Sequence, residues 1–68
     1  MKISVKLQRS NEFKKIELEE NSTILDLLKI INIKPDTVIV MNKNKPKPVD
    51  DVLTDGQDLL ILQVSSGG

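Results

Sequence analysis

One short run in this chain has a helical period, and the segments around it have a period of two. Ile24, Leu27, Leu28 and Ile31 recur at i, i+3, i+4 and i+7, which makes one apolar face of a helix. Lys29 falls on the other side. A helix with one apolar face has to bury it, and only a sheet is on offer in the rest of the sequence. That pairing restricts the chain to a single α+β domain with one helix laid on one face of a sheet.

The strands follow from alternation. Residues 2–8 place Ile3, Val5 and Leu7 between polar neighbours. Arg9, Ser10, Asn11 and Glu12 form a polar break, and residues 13–19 resume the pattern, with Ile16 and Leu18 inward and Lys15, Glu17 and Glu19 outward. This predicts an antiparallel hairpin. Asn21, Ser22 and Thr23 supply N-cap chemistry. With Thr23 as the cap, Asp26 lies in the first turn, where free N–H groups favour a carboxylate. Asn32 is suited to close the helix in a left-handed conformation, and Pro35 forces Lys34 out of helical geometry. The helix, of roughly ten residues, serves as a crossover between strands of one mixed sheet.

Residues 37–42 predict a third strand, apolar on both faces, followed by a turn through Lys43 and Asn44. Pro46 and Pro48 limit the next segment to a short edge strand. Residues 50–58 connect, with Val52 and Leu53 inward and a turn at Asp55-Gly56. Residues 59–64 form the last strand, giving four to five strands in all. The domain is expected to span residues 1–64, with 65–68 as a flexible tail.

Composition narrows the chemistry. The 68 residues contain no Cys and no His, so a cysteine nucleophile, a thiolate metal site and an imidazole base are excluded. Ten basic and ten acidic side chains give a net charge of zero, and Phe13 is the one aromatic residue. Both facts argue against direct nucleic-acid binding, which needs phosphate neutralisation and stacking platforms. The absence of disulfides suits the cytoplasm, and no apolar run approaches membrane-spanning length. Asp50, Asp51, Asp55 and Asp58 do not follow calcium-loop spacing and read as a solvated, turn-rich segment, so no metal site is expected. Lys43, Lys45 and Lys47 read as a solvated loop that protects an edge.

Two features remain. Leu59 and Ile61 occupy one face of the last strand, and Leu60, Leu62 and Val64 the other. One helix covers one face, so the second set is a candidate docking surface. Beyond it, Ser65, Ser66, Gly67 and Gly68 carry no apolar group. Glycine has no Cβ and passes through narrow channels, and four extended residues reach at most roughly 13–14 Å. Such a tail is either a presented carboxylate or a bland chain end.

The element order, the Asp55-Gly56 turn followed by L-L-I-L-Q-V, Val40-Met41-Asn42 before a polar turn, and the terminal Gly67-Gly68 resemble the β-grasp sulfur carriers ThiS and MoaD. They also resemble the archaeal ubiquitin-like small modifier proteins. The resemblance covers the whole chain and is most specific over residues 55–68. Gln57 stands where the family usually has a second acid, and Leu60 where it usually has a polar residue.

The resemblance implies a ubiquitin-like β-grasp fold and a protein that is a co-substrate rather than an enzyme. An activating enzyme, supplying ATP and its metal, would adenylate the carboxylate of Gly68, and sulfur would then displace AMP. Gly67, Ser66 and Ser65 would thread that enzyme's channel, while Leu60, Leu62 and Val64 dock. No side chain would be catalytic and no cofactor would be bound. The expected partners are the activating enzyme, a sulfur donor and an acceptor enzyme of cofactor or tRNA thiolation. A monomer is expected. Two alternatives stay open: a protein modifier joined through Gly68 to target lysines, and a non-catalytic β-grasp interaction module.

Overall fold

The computed structural model describes residues 1–64. Its elements are β1 (Lys2–Leu7), β2 (Glu12–Glu17), α1 (Ile24–Ile30), a 3-10 turn (Pro35–Thr37), β3 (Val38–Asn42), β4 (Lys45–Lys47) and β5 (Asp58–Gln63). The five strands form one sheet in the order β2-β1-β5-β3-β4. β1 and β5 run parallel and every other neighbouring pair is antiparallel. The sheet is therefore mixed, as a helical crossover requires.

Alternation divides the sheet into two faces. Ile3 and Val5 of β1, Val40 of β3 and Leu59 and Ile61 of β5 are buried beneath Ile24, Leu27 and Leu28 of the helix. Leu18 and Leu53 complete this core, and it contains no buried polar group among the described residues. The core is entirely aliphatic, and the lone aromatic residue stays outside it.

Both ends of α1 are closed by the chemistry expected of them. Thr23 Oγ1 accepts from the Asp26 N–H, and the Asp26 carboxylate accepts from the Thr23 N–H at 2.9 Å, a reciprocal capping box. At the other end Asn32 adopts φ 60. Its N–H bonds to Lys29 O and that of Ile33 to Leu28 O, which is a Schellman closure. The helix is seven residues long, shorter than expected, because Ile31 serves as its C-cap.

Three local expectations are corrected. Val52 points outward and is 53% exposed, while Leu53 is buried. The backbone here is extended, with Thr23 bridged to Val52 and the Leu53 N–H donating to Ser22 O, so adjacent side chains go to opposite sides. Thr37 belongs to the 3-10 turn after Pro35 rather than to β3, its hydroxyl donating to Lys34 O. β2 ends at Glu17, so Leu18 enters the core from just beyond the strand.

A helix-free sheet face beside the tail

The chain's candidate site is the sheet face that α1 leaves uncovered. Cross-strand register sets Phe13, Lys6, Leu60, Met41 and Pro46 side by side in one row across the five strands. The next row pairs Ile39 with Leu62. Leu60 and Leu62 are half-buried by these neighbours, whereas Ile39 is 41% and Phe13 75% exposed. Phe13, Met41, Leu60 and Leu62 line a shallow hollow of about 670 Å³ together with Lys6, Lys43 and Asp58. The Lys6 ammonium lies 5.3 Å from the Phe13 ring centroid, within cation–π range.

β5 carries this face toward the tail. Val64 follows the strand, is 59% exposed, and donates its N–H to Thr37 O at 3.0 Å, which fixes the last described residue against the 3-10 turn. Leu60, Leu62 and Val64 therefore stand where the alternation put them. Phe13, Ile39 and Met41 join them, and these were not singled out as docking residues. Period-two spacing marked residues 37–42 as apolar on both faces, but only register shows which side chains adjoin Leu60 and Leu62. Ser65, Ser66, Gly67 and Gly68 lie outside the described residues.

Two members of the acidic set, Asp55 and Asp51, bond to neighbouring segments. The Asp55 carboxylate accepts the Lys2 N–H at 2.7 Å, and Gly56, at φ 81, donates its N–H to Lys2 O. A side chain at Gly56 would meet open space, so the positive φ alone calls for glycine there. Gln57, in place of the usual acid, accepts the Thr54 N–H through Oε1 at 2.8 Å. Its own N–H donates to Thr54 O, and its carbonyl accepts from Ser4. This turn locks the start of β5 beside β1. Asp51 pairs with Lys47 at 3.9 Å. Among the described residues no group of three or more acids is placed to hold a metal ion. No helix among them is long and apolar enough to cross a membrane.

Comparison with known proteins fits this arrangement. The family model of small archaeal modifier protein 2 matches residues 1–64. The chain belongs to that family. An uncharacterised protein of Archaeoglobus fulgidus is 36% identical over 69 residues, covering both chains in full. The crystal structure of SAMP1 from Haloferax volcanii superposes with a TM-score of 0.75 at 15% identity, covering all of each chain. The ubiquitin of Caldiarchaeum subterraneum gives a TM-score of 0.75 at 18% identity, covering 100% of this chain and 98% of that one. These two solved structures establish the ubiquitin-like β-grasp fold. The protein is thus a ubiquitin-like small archaeal modifier protein, from a family whose members are not themselves catalysts.

Proposed function

We propose that the protein is a sulfur carrier activated at the carboxylate of Gly68. The observation that carries this reading is the helix-free apolar strip in which Leu60 and Leu62 of β5, the strand leading into the tail, lie beside Met41 and Ile39 of β3. An activating enzyme would grip that strip while Ser65, Ser66 and Gly67 carry Gly68 to the nucleotide. The Gly68 carboxylate oxygen attacks the α-phosphorus of ATP and pyrophosphate leaves. A sulfide-level nucleophile from a sulfur donor then attacks the acyl carbon, AMP leaves, and a thiocarboxylate remains. ATP and its metal belong to the partner, which is consistent with a chain that lacks His and Cys. Acceptors of the cofactor or tRNA thiolation class would take the sulfur, in the cytoplasm.

The family match favours a second reading, in which the activated Gly68 carbonyl is attacked by the amine of a target lysine and forms an isopeptide. The two differ only in the nucleophile. Intact mass after incubation with the activating enzyme, ATP and sulfide tests the first. An oxygen-to-sulfur shift confined to Gly68 supports it, and adenylation without that shift refutes it. Conjugation is tested by digesting host proteins. Tryptic remnants would be long, since no Lys or Arg follows Lys47, but cleavage before Asp58 leaves residues 58–68 on the modified lysine. If deleting Gly67 and Gly68 leaves function intact, both readings fail and an interaction module remains.

A further inference from the structure

The sheet has two edges, and they are built differently. β4 is three residues long, carries Pro46 within it and is followed by Pro48. Shortness, proline and lysine together close that edge to further pairing. β2, the other edge, is six residues long with neither proline nor glycine. Among the described residues only β1 pairs with it.

The direction of its free backbone groups follows from one bonded pair. Met1 and Leu18 exchange both hydrogen bonds, the Leu18 N–H donating to Met1 O and the terminal amine to Leu18 O. Bonded and non-bonded pairs alternate along an antiparallel ladder. Ile16, Lys14 and Glu12 therefore face β1, and the N–H and C=O groups of Phe13, Lys15 and Glu17 point to the open edge.

The side chains on this edge have a pattern. Lys14 and Lys15 stand at its centre, one on each face of the sheet, with Glu12 and Glu17 at its ends. On β1 they face Val5 and Ser4, so no carboxylate answers either ammonium across the strand pair, and neither has an ion-pair partner among the described residues. A second copy of β2 is a poor occupant. Through its outward groups a second copy would pair antiparallel about Lys14 or about Lys15, or parallel one residue out of step, and each of these sets lysine against lysine, which is destabilising.

We propose that β2 accepts an extended peptide segment of a protein partner, added as a sixth strand, with two adjacent acidic residues opposite Lys14 and Lys15. Backbone bonds to Phe13, Lys15 and Glu17 supply the pairing and the paired acids supply the selection. The exposed Phe13 ring, continuous with the apolar face but beyond Leu60, gives the partner's apolar side chain a surface to lie on. This surface does not depend on Gly68 or its activation.

The probe is an end-blocked octapeptide, Thr-Lys-Ile-Glu-Glu-Ile-Lys-Thr, whose palindromic pattern opposes β2 equally well in either direction. The control, Thr-Glu-Ile-Lys-Lys-Ile-Glu-Thr, has the same net charge with the signs exchanged. Titration followed by amide exchange should slow the N–H groups of Phe13, Lys15 and Glu17 with the first peptide. The control should bind about tenfold more weakly, the effect of a few cross-strand charge pairs. Exchanging the four charges on β2 should reverse that preference. Lys15→Pro, which removes an outward donor and spares the ladder to β1, should abolish binding while keeping the fold. Equal binding of both peptides, protection at Leu60 and Leu62 instead, or no binding at millimolar peptide would each overturn the proposal, the last showing that the lysines only guard the edge.

Discussion

At the residue scale, the helix entrance was fully legible. Thr23 three residues before Asp26 is a capping pattern in any context, and the structure builds both of its bonds. Thr23→Ala should cost about 1 kcal/mol in chemical denaturation. Asp26 adds a pH signature. The hydrogen bond from the Thr23 backbone, then that from its hydroxyl, then Lys29 nearby, hold its carboxyl below the ordinary 3.8. A carboxyl lowered on folding stabilises the native state above its unfolded pKa, and that contribution disappears as pH falls through the folded value. Denaturant midpoints should therefore drop below about pH 4, and Asp26→Asn should flatten this part of the profile. Lys43 was not legible in the same way. It adopts φ 51 and Asn44 φ 67 in the two-residue turn between the paired Asn42 and Lys45. Nothing in a lysine side chain asks for positive φ; the hairpin's twist imposes it. Lys43→Asn should stabilise by about 0.5–1 kcal/mol, measured by denaturant titration.

Elements were legible wherever one period ran long enough. β1, β5 and α1 carry their patterns over six to seven residues, and their inward sides match what alternation implies. The segment before β5 has no such run. Two adjacent apolar residues, Val52 and Leu53, both looked inward, yet an extended backbone sends only one there. Leu53→Ala should cost about 2–5 kcal/mol, whereas Val52→Ala should stay within about 0.5 kcal/mol. Comparable losses at both positions in thermal or denaturant unfolding would show that this segment packs differently. The neighbours of Leu60 and Leu62 were hidden for a related reason. Pairing Ile39 with Leu62, and Lys6 with Leu60, is a property of register, which turn geometry and burial fix together.

At the scale of the whole molecule, one helix on five strands leaves a division of labour. The helix side holds the stability and the bare side is free to hold a partner, so substitutions on the two faces should fail differently. Leu27 is fully buried, and Leu27→Ala should cost about 2–5 kcal/mol. A domain of this size has only about 3–10 kcal/mol in total, so that variant should lose activation because it unfolds. Leu62→Asp instead places a carboxylate among Ile39 and the hollow's lining without opening the core. Its circular dichroism and cooperative unfolding should persist, while kcat/KM for adenylation of Gly68 falls by about 10- to 100-fold, the loss of one apolar contact at a docking surface. The loss should lie mainly in KM, because the reacting carboxylate is unchanged. An unaltered kcat/KM in a folded Leu62→Asp protein would remove the bare face from the activation step and leave the tail to act alone.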